Sequence, residues 1–242
     1  MELTHIVVFL SWILGGFISG ATGIGGAMVA FPIAAMLIPM HTLIPLACVL
    51  NVAMDIGIVC LYGRYCSRKE LWPMLLGTIP GSVLGLYILQ VISGSTLLGS
   101  VGIVLLLYIV WQCTAKPGRE HAPNHFLGAL GGFFSGVLGS AISFDGPPVG
   151  MYALYRGWSP HQALGTLGVY FTLRGLFACC LLAHAGLLGD DVVSLACYGV
   201  PGVAIGIILA IPVASRLNAE LFRRVLMAII TCAGVICLWR AF

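Results

Sequence analysis

The segment Gly15-Gly16-Phe17-Ile18-Ser19-Gly20-Ala21-Thr22-Gly23 returns 116 positions later as Gly131-Gly132-Phe133-Phe134-Ser135-Gly136-Val137-Leu138-Gly139. At the same spacing Pro32 falls on Pro148. Further on, IPGSVLG (79–85) returns as VPGVAIG (200–206), 121 positions later. Repeats in the same order, with a small drift between spacings, are what a duplicated unit with unequal loops produces. The chain therefore reads as two related halves, 1–115 and 124–242, joined by a linker at 116–123. Whatever fold it adopts has to be built twice from the same pattern.

Hydropathy restricts that fold. Apolar runs cover 43–62, 71–92, 97–113, 161–183, 192–214 and 221–239, and two longer Gly-rich runs, 6–38 and 126–155, precede the first and fourth of them. A bilayer core about 30 Å thick takes roughly 20 apolar residues in a helix. With 60% hydrophobic and 8% charged residues and a mean hydropathy of +1.07, little of the chain is left for a soluble domain. An all-α polytopic membrane protein follows. The start, Met1-Glu2-Leu3-Thr4-His5, has no basic region and no small-residue cleavage site, so the first apolar run is expected to stay in the mature chain. The nine cysteines form no CxxC pair and lie mostly inside apolar runs, where small packing residues are expected rather than ligands. A net charge of +3 without a basic patch gives no nucleic-acid partner, and the lipid bilayer is the expected surround.

Basic residues near span ends favour the cytoplasmic side and so choose between topologies. If each Gly-rich run enters and leaves on one side, each half crosses three times and the second half is inverted. Arg64, Arg68, Lys69, Lys116, Arg119, Arg156, Arg216, Arg223 and Arg224 then share the cytoplasmic side, with Arg240 and the Gly189-Asp190-Asp191 loop outside. If each run is a single crossing, Arg156, Arg216, Arg223 and Arg224 move outside. The first arrangement separates the charges better. It predicts two inverted-topology repeats, each a Gly-rich broken-helix hairpin plus three spanning helices, with two half-helices meeting near the midplane and both termini external.

A helix that begins inside a membrane presents unpaired N–H groups and the positive end of its dipole, an arrangement that attracts anions. In the first break Gly23, Gly25 and Gly26 leave backbone amides uncovered, and Pro32 lies inside the helix that follows. In the second, Asp145 or Gly146 is an expected N-cap, with Pro147 near the first helical position. Gly16/Gly20 and Gly132/Gly136 have the spacing of close helix packing in lipid. Packing alone does not account for an acid followed by Gly146-Pro147-Pro148.

The pattern GxxSGxxGxGG followed by a proline, repeated in a second half with a GPP element, resembles the sulfite exporter TauE/SafE family. The resemblance spans nearly the whole chain. It implies a bacterial inner-membrane transporter of small anionic sulfur compounds such as sulfite or organosulfonates. It also implies a site at Gly23, Gly25, Gly26 and Pro32 with Gly139, Gly146, Pro147 and Pro148. Ser143, Phe144 and Asp145 stand where the family pattern reads GxGG before the prolines, so Asp145 is this chain's own departure.

Ionisable residues within spans are costly and by default mark a site with a partner. Asp55, Asp145 and Arg174 are the three here. Arg174 is the candidate cation for an oxyanion, with Asp55 or Asp145 titrating during transport. Alternatively Arg174 forms a structural ion pair with one of them that holds the halves together. Asn51, Tyr170 and Thr172 are candidate lining residues, and His184 a candidate proton relay. The leading expectation is a secondary transporter exporting a small anion by alternating access around a midplane site that includes Ser143. The alternatives are a cation or metal transporter using intramembrane Asp and Cys, and an accessory membrane subunit. No catalytic residues, resident metal, cofactor or nucleotide-binding motif are expected, and a homo-oligomer is left open.

Overall fold

In a computed structural model the described residues are 3–22, 25–114, 121–214 and 219–241; nearly all are helical, and no strand occurs among them. The first half holds α1 (Leu3–Thr22), α2 (Gly26–Ala34), α3 (Met40–Tyr62), α4 (Arg68–Val91) and α5 (Gly94–Thr114). The second holds α6 (His125–Ile142), α7 (Gly146–Arg156), α8 (Pro160–His184), α9 (Asp190–Ala214) and α10 (Ala219–Ala241). Seven of these, α1, α3, α4, α5, α6, α8 and α9, are long and apolar enough to cross a membrane. In α10 the apolar stretch is shorter, Leu226–Ala241. The expectations placed on Gly23, Lys116, Arg119 and Arg216 fall outside the described residues.

Local sequence sets the helix ends. Asn124 caps α6 by accepting the Leu127 N–H at 3.1 Å, and Ser159 caps α8, where Pro160 starts the helix. Gly157 ends α7 in the left-handed region, at φ 64°. Inside the bilayer the helices pack through glycines. Gly77, Gly81 and Gly85 of α4 lie directly on the carbonyls of Ala129, Phe133 and Val137 of α6. These contacts step along both helices in the same direction, so α4 and α6 run parallel. Gly202 and Gly206 of α9 likewise lie on the carbonyls of Phe9 and Ile13 of α1. Backbones this close gain van der Waals contact that lipid tails cannot supply.

The pairings exchange between the halves. The pair α1–α9 becomes α6–α4 when each helix is replaced by its counterpart, while α3–α8 and α5–α10 map onto themselves. The central pair α3–α8 is antiparallel: Gly168 packs on Ile58 and Gly175 on Val52. Around this frame the outward faces are apolar, with Trp72 66% and Trp239 83% exposed, as expected for side chains in contact with lipid.

The Gly-rich runs do break and fold back, but their arms are unequal. The first consists of 20 residues in α1, about 30 Å, and 9 in α2, about 14 Å. The second consists of 18 residues in α6 and 11 in α7. Gly131 and Gly128 of α6 approach Pro148 and Tyr152 of α7, so the short arm returns along the long one. The expectation of two half-helices is corrected to one span-length helix followed by one short return. The proline match is corrected too. Pro32 lies near the end of α2, whereas Pro148 lies in the first turn of α7. An extra turn of α6 before its break separates the two positions.

Candidate functional site

The first break turns on Gly25, at φ 97°, a region that strains any residue with a Cβ. It has no side-chain cap, and the first turn of α2 is Gly26-Ala27-Met28. The second break turns on Ser143, the one non-glycine with positive φ (59°) among the described residues. Ser143 is held from both sides. Its Oγ–H donates to the Ile44 carbonyl of α3 at 3.0 Å, and its carbonyl accepts from Asn51 Nδ2 at 3.5 Å. The Ser135 hydroxyl donates to the Asp145 carbonyl at 2.8 Å.

The two breaks meet. Ser19 and residues 25–28 of the first half, residues 143–146 of the second, Asn51, Met54 and Asp55 of α3, and Phe171 of α8 line one cavity of about 50 Å³. About 10–15 Å³ on this measure accommodates one water, so the space suits a few waters or one small ion. The residues that give it character are few: the amides of the α2 N-terminus, the carboxylates of Asp55 and Asp145, and the Asn51 amide.

Behind this lining sits the charge that the sequence flagged most strongly. Arg174 is 1% exposed and is paired with Asp145 through Nη2 and Oδ2. Its guanidinium lies against Gly139, where a Cβ would collide with it. The pair joins α8 to the second break, so it is internal to the second half and does not bind one half to the other. That expectation is corrected; at the break itself Ser143, through Ile44 and Asn51, links the two halves. Nε and Nη1 of Arg174 are buried without a hydrogen-bond partner, as is Asn51 Oδ1. Such groups are costly unless a partner arrives.

Of the residues read from the sequence, Gly25, Gly26, Asp55, Ser143, Asp145 and Gly146 lie on the cavity. Gly139 and Arg174 stand behind it. Pro147 and Pro148 form the first turn of α7, where they remove two N–H groups that would otherwise face an anion. Pro32 is buried in α2 away from the lining. Tyr170 instead bonds Thr78 at 2.6 Å, and Thr172 bonds back to its own helix at Gly168. His184 is exposed at the C-terminal end of α8.

Sequence reasoning missed a second buried ion pair. Glu70, 5% exposed at the start of α4, accepts from Arg156 Nε at 2.8 Å and Nη2 at 2.5 Å, and from the Tyr152 hydroxyl at 2.7 Å. Arg156 and Tyr152 are on α7, so this cluster fixes the far end of the short helix whose near end lines the cavity. Glu70 follows Arg68 and Lys69, and a charge run at a span end reads as solvated. The available signal was a lone acid in a basic cluster, with a tyrosine and an arginine one turn apart on α7.

No curated protein and no solved structure matches the chain. Among the described residues no three His, Cys, Asp or Glu side chains come together as a metal centre. Seven span-length helices and a cavity between two broken helices are a transporter's parts. The family model described as sulfite exporter TauE/SafE matches residues 8–236, and the chain belongs to that family of membrane transporters.

Proposed function

We propose that the chain moves a small sulfur oxyanion, sulfite or an organosulfonate, out of the cytoplasm through the cavity between its two breaks. One observation carries this reading: short helices from both halves begin at the same small cavity. The first supplies backbone amides at Gly26 and Ala27, where a helix N-terminus favours negative charge. The second supplies Asp145, whose charge is balanced by Arg174. With Asp55 also ionised, the three side chains sum to one negative charge, which opposes an anion. A proton on Asp55 removes that opposition, so we take Asp55 as the coupling group. Asn51 Oδ1 accepts a donor from the cargo or its water.

The halves 1–115 and 124–242, joined at 116–123, are read as inverted repeats. The antiparallel course of α3 and α8 supports this, because counterpart helices related by an axis in the membrane plane run in opposite directions. Alternating access is then a rocking of one half against the other around a fixed cavity. The distribution of basic residues supports an orientation with Arg64 and Arg156 in the cytoplasm and both termini outside, across a bacterial inner membrane. Liposomes holding the purified chain, given sulfite, sulfate and small organosulfonates at two pH values, test the reading. Flux of a sulfur oxyanion that rises on acidification supports it. Uptake of a divalent metal ion with no anion flux would overturn it in favour of the second reading, cation transport. That second reading is suggested by the two carboxylates on the cavity wall.

A further inference from the structure

Cys48 of α3 and Cys179 of α8 place their sulfurs 3.9 Å apart. Both are free thiols, Cys48 buried and Cys179 half-buried. Their juxtaposition follows from the helix register. With Gly168 on Ile58 and Gly175 on Val52, one further turn of α8 brings Cys179 across from Cys48. Gly175 has no side chain, and this holds the two backbones together one turn away. A disulfide needs sulfurs about 2.05 Å apart, so oxidation draws the two sulfurs together across this seam from 3.9 Å.

The place of the pair gives it a consequence. The helices α3 and α8 come from different halves, and any motion of one half against the other shears the seam between them. Ile44, Cys48 and Asn51 lie on one face of α3, and Ser143 of the second break rests on Ile44 and Asn51. The dithiol therefore sits beneath the break that lines the cavity. We propose that Cys48 and Cys179 are a modifiable dithiol whose oxidation to a disulfide staples α3 to α8 and arrests transport.

The oxidant is a lipid-permeant small disulfide. The half-buried Cys179 thiolate attacks it, forming a mixed disulfide and releasing one small thiolate. The Cys48 thiolate then attacks the Cys179 sulfur and expels the second small thiolate. Two protein thiols and one small disulfide become one protein disulfide and two small thiols, which carry away both protons. The flux readout rests on the transport reading above, and the covalent readout does not.

The test uses the full chain in liposomes with the other seven cysteines replaced by alanine, treated with dipyridyl disulfide. Peptide mapping without reductant is expected to show the Cys48 and Cys179 peptides joined, with a mass lower by two hydrogens than the reduced pair. Anion flux is lost on treatment and returns with dithiothreitol, while the Cys179→Ala variant keeps its flux under oxidant. Pyridyl adducts on each cysteine without a joined product would overturn the proposal, and so would a joined product that leaves flux unchanged. If no sulfur oxyanion flows even before oxidation, the substrate assignment alone fails. The staple is then read from the joined peptide together with slower amide hydrogen exchange along α3 and α8; unchanged exchange in the joined protein contradicts it.

Discussion

At the first break the chain turns on Gly25 with no side-chain cap, and the far end of α2 lies in apolar packing with the exposed Arg240 donating to the Ala35 carbonyl at 3.4 Å and the Met36 carbonyl at 3.5 Å. At the second, Ser143 is bonded to α3, Asp145 is paired with Arg174, and the far end of α7 is fixed by Glu70. Duplicated sequence has thus produced one break set in apolar packing and one held by polar and charged side chains. The difference divides the work at the cavity. The first break offers uncovered amides at the start of a helix buried in apolar packing; the second offers a charge-balanced wall.

The largest effect is expected at the fixed wall. Removing one partner of a buried ion pair leaves a bare charge and costs about 3–5 kcal/mol. Arg174→Ala should therefore lose folded protein as well as flux, measured by size-exclusion yield in detergent. The double variant Asp145→Asn/Arg174→Gln should regain folding without regaining transport. If Arg174→Ala folds normally, the second break is not held in the way described. Next is the far end of α7. Tyr152→Phe removes a hydrogen bond to a charged group, about 1.5–3 kcal/mol, and should lower the unfolding temperature. Arg240→Ala, at the matching end of α2, should leave it unchanged.

Smaller effects separate the breaks themselves. A Cβ at residue 25 has open space, its nearest neighbour a Leu226 methyl at 3.9 Å, but the φ of 97° strains it. Gly25→Ala should cost about 1–2 kcal/mol and slow flux in liposomes. Ser143→Gly relieves a similar left-handed strain and loses one hydrogen bond of about 1 kcal/mol, so stability should barely change. If Gly25→Ala is tolerated as well as Ser143→Gly, the turn at Gly25 is not the strained position described.

The glycines made the fold legible. Gly16, Gly20, Gly81, Gly85, Gly202 and Gly206 carry the repeat, and each lies where one helix backbone meets another. Apolar runs gave most of the spans. Helix length within the Gly-rich runs was harder to read, because glycine tolerates both helix and break. Only the packing of α1 on α9 and of α6 on α4 shows that the first arm is span-length. The three intramembrane charges were found because lipid makes such residues rare. Which acid pairs with Arg174 was not readable, since Asp55 and Asp145 lie 90 residues apart in sequence yet line the same cavity with Arg174 behind them. Glu70 escaped for the opposite reason: at a span end a charge carries no such signal.

The central claim is that one cargo site is shared by both breaks. Single cysteines at Ala27 and Gly146, in a chain otherwise free of cysteine, test it through their rate of alkylation by iodoacetamide. A small organosulfonate that is transported should slow alkylation at both positions, to a similar extent and at the same concentration. Protection of one break with the other unaffected would contradict the account.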